Sequence, residues 1–336
     1  MGNMCCIVKS NKKINNTTNN INPIKEKYQP PPIIDWCSKN KTYNYHWWPL
    51  LEKKENDIIN NLYAKDGGLG KYDTLFNTKS CEYQRLNHHR SVNDDTRQDK
   101  HWAGFCDRAS ILSCSFKYPE NNVTVYFNKK EIIFTPRDIE SLMIISTDNS
   151  VNKGMSIFFG ERNNNKLTNN SITKLTNKKY DPNEPYPSSF IDMLDAICKF
   201  DQPFIMDIDK NNAVWNYAYD KVLVTKHKKC PIEPEIQTES GLTTYYNFKI
   251  ESNAYPKNNL DLWGYINITY TNLNDQCHKK MFEGWITKNN PDFIWKVFPK
   301  KCMWEGTSSL NPHINCDIVY RIYKHSFNKN NLKLTF

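Results

Sequence analysis

The sequence has no apolar run long enough to cross a lipid bilayer, and its first residues lack the hydrophobic segment of a secretory leader. It also lacks paired C-x-x-C motifs and an acidic loop of the EF-hand type. Basic residues outnumber acidic ones, 45 to 36, but the excess is spread along the chain and forms no basic stripe. These absences predict no metal site, no nucleic-acid partner and no transmembrane helix.

The eleven cysteines are an odd number and lie scattered along the chain. Disulfide frameworks belong to oxidising compartments, and we expect no secretory signal from the first residues. We therefore expect free thiols and an intracellular protein. A cysteine in such a protein indicates chemistry only where its surroundings favour the thiolate.

One cysteine lies in surroundings of that kind. In residues 101–109, a tryptophan and a glycine precede Cys106, and the residues after it favour a helix. Cys106 is therefore predicted at a helix N-terminus, where unpaired N–H groups and the helix dipole favour an anion. That position is expected to lower the thiol pKa and to produce a nucleophilic thiolate. The alternative is a buried structural cysteine.

The first residues of the chain predict a lipid-modified tail. Gly2 is an acceptor for N-myristoylation, and Cys5 and Cys6 offer thiols for palmitoylation. One acyl chain binds a membrane only marginally, whereas two signals bind it stably. We expect residues 1–35 to be a flexible tail that holds the protein at the cytoplasmic face of a membrane. The alternative is an unmodified, disordered leader.

Residues 36–336 are predicted to form one α+β domain, with helices early and a largely antiparallel sheet late. Residues 161–185 are polar and of low complexity, so we expect a long surface loop there. No internal repeat is visible, which argues against a solenoid or a propeller.

Local patterns predict several elements. Residues 135–138 read Thr-Pro-Arg-Asp, which is typical of a capped helix start. A hairpin is expected about residues 128–129. The glycines of residues 66–70 favour a turn, and the β-branched residues of 318–323 favour a late strand.

Several segments resemble the transglutaminase elicitor family, typified by secreted cell-wall transglutaminases of oomycete plant pathogens. The matching motifs are Trp48-Pro49, Gly67-Gly68-Leu69 with Tyr72-Asp73, Trp102-x-Gly104-x-Cys106-x-x-Ala109, Phe134 with Asp138-Ile139, Phe204-Ile205-Met206-Asp207 with Val214-Trp215-Asn216, Gly284-Trp285, and Pro291-Asp292-Phe293-Ile294-Trp295. They run in the family's order from about Trp47 to Trp295.

The resemblance implies a papain/transglutaminase-like cysteine-enzyme core. It implies acyl transfer through a Cys106 thioester, with protein glutamines as acyl donors and lysines or other amines as acceptors. It assigns Asp207 as the carboxylate that orients a base, with Asp209 as the substitute if the register shifts. No cofactor is evident from the residues, and calcium is implied by the family alone.

The sequence leaves the base open. The candidate histidines are His101, which precedes Cys106 by five residues, His227, and also His278 and His313. Two family histidines are replaced here by Ile191 and Asn290. Two alternatives to an active acyltransferase therefore stand: a papain-like cysteine peptidase or amidase, and a catalytically inactive, membrane-anchored binding scaffold.

We predict that Gly2→Ala moves the protein from the membrane fraction to the soluble fraction of eukaryotic cells, because a single remaining lipid signal binds too weakly. Fractionation and immunoblotting measure the distribution, with Asn3→Ala as the matched control. An unchanged distribution would remove the lipid anchor.

Overall fold

The computed structural model describes residues 31–48, 62–89, 104–147, 156–160, 185–207, 215–232, 242–273, 276–287, 293–297, 311–329 and 333–336. All of them belong to one unit, Pro31–Phe336. The predicted lipidation sites Gly2, Cys5 and Cys6, and residues 161–184 of the predicted loop, lie outside the described residues.

The described helices are α1 (Gly68–Phe76), α2 (Ser80–Gln84), α3 (Cys106–Ser115), α4 (Pro136–Ser146), α5 (Pro187–Cys198) and α6 (Cys316–His325). Arg85–His89 forms a π-helical turn after α2, and Pro256–Asn258 forms a 3₁₀ turn. Across the described ranges, no helix combines the length and apolar character that a bilayer span requires.

The described strands are β1 (Pro32–Cys37), β2 (Val123–Phe127), β3 (Lys130–Phe134), β4 (Ser156–Gly160), β5 (Phe204–Asp207), β6 (Tyr217–Tyr219), β7 (Lys221–His227), β8 (Leu242–Glu251), β9 (Leu260–Leu273), β10 (Gln276–Trp285), β11 (Phe293–Val297) and β12 (Leu334–Thr335). They form a five-stranded antiparallel sheet in the order β1-β7-β8-β9-β10, a four-stranded sheet β4-β11-β5-β6 and a three-stranded sheet β12-β2-β3. The predicted order, helices mostly early and an antiparallel sheet late, is confirmed.

Two hydrophobic cores stabilise the fold. The first joins α1, α3, α4 and α6 with the three-stranded sheet, and includes Leu69, Leu112, Ile139 and Val319. The second lies under the five-stranded sheet, where α5 packs its buried face. On α5 this face recurs at helical spacing, through Phe190, Leu194 and Ile197.

The pair β5–β6 lies between the two cores. Side chains alternate between the two faces of a strand. Accordingly, Ile205 and Ala218 belong to the first core, whereas Phe204, Met206 and Tyr219 belong to the second. One face of β5–β6 is therefore turned towards α3, and this face positions the candidate site.

Two local predictions are confirmed. Thr135 caps α4: its hydroxyl accepts a hydrogen bond from the Asp138 N–H, and the Asp138 carboxylate accepts one from the Thr135 N–H. The β2–β3 hairpin turns at Asn128 and Lys129, both of which adopt positive φ angles of 46° and 63°.

Three expectations were wrong. Residues 318–323 lie within α6, because the buried Cys316, Val319, Ile322 and Tyr323 recur at helical spacing. Residues 68–70 begin α1 instead of a turn. There Gly68 lets the helix approach α4, since an added Cβ would lie 2.0 Å from the Ser141 hydroxyl oxygen. Strand β1 begins at Pro32, inside the expected tail, because an edge strand tolerates proline at its first residue.

Candidate functional site

Cys106 is the first residue of α3, the position that its sequence context predicts. Its side chain is 9% exposed. The preceding residue, Phe105, has no side chain that could cap the helix. Instead, its backbone N–H donates to the carbonyl oxygens of Trp47 at 2.7 Å and Trp48 at 3.2 Å. The helix start is therefore held by the backbone of residues 45–48, which we call the tryptophan segment.

Gly104 allows this contact. A Cβ at residue 104 would lie 2.2 Å from Cε3 of Trp47 and 2.6 Å from its carbonyl oxygen. Only glycine leaves room for the Trp47 ring at this point. The ring in turn meets that of Trp215 edge to face, with centroids 5.8 Å apart. Two indoles thus lie beside the segment that leads into Cys106.

Asn216 contacts the sulfur of Cys106. Its side-chain Nδ2 donates to Sγ at 3.4 Å, and its backbone N–H also donates to Sγ. Asn216 is buried, and its carbonyl oxygen accepts a hydrogen bond of 2.6 Å from the Tyr45 hydroxyl. Tyr45 belongs to the tryptophan segment, so one segment holds both the cysteine and its donor.

Asp207 is the last residue of β5. The β5–β6 register pairs Met206 with Tyr217, so the chain continues from this pair to Asp207 on one strand and to Asn216 on the other. Two residues beyond Ile205, Asp207 shares the face of β5 that is turned towards α3. The carboxylate is 1% exposed and accepts a hydrogen bond from the Trp215 N–H at 3.3 Å. The structure therefore brings together Cys106 and Asp207, the two residues that the sequence nominated as nucleophile and carboxylate.

The predicted low pKa of the Cys106 thiol is wrong for the resting protein. Burial raises the pKa of this thiol above its usual value, and the negative charges of Asp107 and Asp207 raise it further. The two hydrogen bonds from Asn216 act in the opposite direction and do not overcome the loss of solvation. The raised pKa favours the neutral thiol, so a nucleophilic role for Cys106 requires a base.

Of the candidate bases, His227 and His313 have described side chains, and their printed contacts are with residues other than Cys106. His227 ends β7 in the five-stranded sheet, where its ring lies 4.9 Å from that of Trp263 and bonds to Thr225. Burial and the charge of Lys249 lower its pKa. His313 packs against Tyr83, and His278 lies in β10. His101 and Asp209 lie outside the described residues.

The sequence reasoning did not consider His46. Its ring meets that of Trp48 edge to face at 5.0 Å and lies 6.1 Å from that of Trp47. These are the two tryptophans whose carbonyls hold the start of α3. His46 is thus an imidazole on the tryptophan segment itself. In the sequence, His46 could have been singled out by its position directly before the Trp47-Trp48 pair.

A buried carboxyl group lies beneath the tryptophan segment. Glu140 of α4 is 2% exposed and accepts hydrogen bonds from the Trp48 indole, at 3.4 Å, and from the His46 backbone N–H. Burial raises its pKa to about 7. Trp48 adopts a φ of 44°, which residues other than glycine rarely do, and Arg137 lies 5.3 Å above its ring.

The described residues include no group of three or more His, Cys, Asp or Glu side chains that could hold a metal ion.

We predict that Asn216→Ala shifts the reaction of Cys106 with iodoacetamide towards alkaline pH by roughly one to two pH units. A hydrogen bond to a charged group contributes about 1.5–3 kcal/mol, and 1.36 kcal/mol corresponds to one pH unit. Rates are measured across pH by mass spectrometry of the Cys106 peptide. Cys114, on the same helix, is the internal control. An unchanged profile would show that Asn216 does not stabilise the thiolate.

We predict that Glu140→Gln stabilises the protein in neutral and alkaline solution. The pKa of Glu140 is raised in the folded state. The protonated carboxyl group therefore contributes fully to stability below about pH 4.5, and this contribution is lost as pH rises towards 7. Between pH 5 and pH 8 the free energy of unfolding of the original protein should fall by roughly 2–3 kcal/mol, a fall that the variant should not show. Urea unfolding measures this, with the exposed Glu82→Gln as control. Equal pH dependence in both proteins would contradict the burial argument.

No protein-family model, curated protein or solved structure matches this chain.

Proposed function

We propose that this protein is a transglutaminase-like cysteine acyltransferase that acts on glutamine side chains of proteins through a thioester at Cys106. One observation carries the proposal. The Cys106 sulfur lies at the start of α3, receives two hydrogen bonds from Asn216, and faces a strand pair that holds the buried carboxylate of Asp207.

In the first half of the reaction, a base removes the Cys106 proton and the thiolate attacks the carboxamide carbon of glutamine. A carbon–sulfur bond forms, the carbon–nitrogen bond breaks, and the base returns the proton to the departing ammonia. In the second half, an amine nitrogen attacks the thioester and gives a proton to the base. The carbon–sulfur bond breaks and Cys106 regains its proton. Water in place of the amine gives glutamate.

Two sets of donors can stabilise the negative oxygen that forms in each half. The first N–H groups of a helix lack carbonyl partners within the helix, and they point along the axis towards its N-terminus. Cys106 holds its substrate carbon at that end of α3. The Asn216 amide, freed from the thiolate once the carbon–sulfur bond forms, lies beside the same carbon. Donors fixed in advance in a buried site stabilise a transition state strongly.

The base is the open part of the proposal. His101 stays a prediction, and the geometry adds His46, whose backbone N–H is tied to Glu140 and whose ring packs on Trp48. Asp207 would orient the imidazole, as the family resemblance implies. The papain/transglutaminase-like core also belongs to the proposal. A cysteine at a helix start facing antiparallel strands, within an α+β chain, supports it.

The proposed partners are glutamine-bearing proteins and lysines or other amines. The surroundings of Cys106 suit such substrates because Trp47 and Trp215, whose rings lie beside the segment that leads into it, offer apolar surface for the methylene groups of glutamine and lysine. Lipidation at Gly2, Cys5 and Cys6 would hold the enzyme at the cytoplasmic face of a membrane.

A second candidate function is a catalytically inactive binding scaffold. The observation that favours it is the raised pKa of Cys106, since a buried neutral thiol is also what a structural cysteine presents. A cysteine peptidase or amidase would use the same sulfur with water as the second reactant.

We predict that the protein incorporates a labelled primary amine into casein and that Cys106→Ala lowers the rate at least about 1000-fold, as loss of a nucleophile does. Cys114→Ala is the matched control, because Cys114 is a second buried cysteine on α3 and should leave the rate unchanged. The same assay on His101→Gln and His46→Gln separates the two candidate bases.

The outcomes distinguish the three functions. Amine incorporation that depends on Cys106 supports the acyltransferase. Peptide cleavage without incorporation supports the peptidase. Inertness in both assays, in a protein that unfolds cooperatively in urea, supports the scaffold and overturns the proposal.

A further inference from the structure

A cleft of about 500 Å³ lies at the other end of α3 from Cys106. Its walls come from the residues that follow β1, from the C-terminal residues of α3 and the chain just beyond, and from the last two turns of α6. Four lysines line it, Lys39, Lys41, Lys117 and Lys324, and no acidic residue does. A volume of this size suits a small molecule.

Among the described residues, carboxylates neutralise little of this positive charge. Lys39 pairs with Asp201 at 2.8 Å. Lys41 directs its ammonium group to the Cys37 sulfur, and Lys324 lies 5.5 Å from the ring centre of Tyr320. Within the described part of the chain, Lys41, Lys117 and Lys324 have no carboxylate within ion-pair distance.

The helix dipoles at the cleft do not neutralise the positive charge of the lysines. Both α3 and α6 end at the cleft, and each helix C-terminus carries roughly half a negative charge. Together they offset roughly one of the three ammonium groups that have no carboxylate partner among the described residues. A net positive charge remains, and it lies in a concave site.

The rest of the lining supplies flat surfaces and a polar group. The rings of Tyr320 and Tyr323 lie nearly parallel, with centroids 6.2 Å apart, and Phe116 meets Tyr323 edge to face at 5.8 Å. The Tyr323 hydroxyl donates to the Lys117 carbonyl, which fixes this wall. The Ser115 hydroxyl is buried and has no hydrogen-bond partner among the described residues.

We propose that this cleft binds a ligand that carries several phosphate groups. Lysine ammonium groups bind phosphate as point charges, and three such groups without a described carboxylate partner, around a small cavity, match a ligand with clustered negative charge. The phosphates could belong to a soluble polyphosphate or to the headgroup of a phosphoinositide lipid. This binding is independent of the chemistry at Cys106.

The test uses the full chain without lipid modification. Titration calorimetry with inositol hexakisphosphate measures binding of the soluble form. Sedimentation with phosphatidylcholine vesicles containing phosphatidylinositol bisphosphate measures the lipid form, against phosphatidylserine vesicles of the same surface charge. We expect saturable binding that weakens as salt is raised, because salt screens exposed charges.

The variant Lys117→Glu/Lys324→Glu should weaken binding at least about tenfold, since two attractive charges become repulsive. Lys228→Glu/Lys257→Glu makes the same change of net charge at exposed lysines outside the cleft and should bind as the original does. If the first variant fails to fold, Lys117→Gln/Lys324→Gln replaces it.

Binding to the soluble probe alone assigns a free polyphosphate, and preference for the phosphoinositide vesicles assigns the lipid. Three results would overturn the proposal: no saturable binding to either probe, equal loss in the control variant, or tighter binding to single-stranded RNA than to the polyphosphate.

Discussion

The backbone N–H of Phe105 is shared between the carbonyl oxygens of Trp47 and Trp48, and much of the site follows from this one contact. A helix start needs acceptors for its N–H groups, and here they come from a distant segment instead of a capping side chain. Gly104 gives the space for that approach. The same segment directs Tyr45 to the Asn216 carbonyl, so the position of the cysteine and the position of its hydrogen-bond donor are set together.

The parts of the fold that the sequence predicted are those governed by local chemistry. The Thr135 cap and the turn at Asn128 and Lys129 depend on residues within a few positions of each other. The parts that it did not predict depend on distant partners. Gly68 begins a helix because α4 requires close approach there. Residues 318–323 are helical because their buried side chains face the first core every three or four residues, which outweighs the strand preference of valine and isoleucine.

The candidate site, like the fold, could be predicted from the sequence only where local chemistry decides the structure. The helix start at Cys106 follows from nearby residues, and the family resemblance indicated Asp207, which is the last residue of β5. The contact between Asn216 and Cys106 joins residues 110 positions apart, and no local sequence pattern predicts it. Burial of the sulfur is also a property of the assembled fold. For that reason the thiol pKa moves in the direction opposite to the one that a helix terminus alone predicts.

The carboxyl group beneath Trp48 gives the protein a property that no surface residue would confer. Because the pKa of Glu140 is about 7, a neutral solution contains the protonated and ionised forms in comparable amounts. The ionised form accepts the indole and backbone hydrogen bonds more strongly. It does so under a tryptophan that already holds an uncommon backbone angle. A pKa near 7 thus allows the protein to exchange one proton in neutral solution, at a carboxyl group next to the residues whose carbonyl oxygens hold the start of the Cys106 helix.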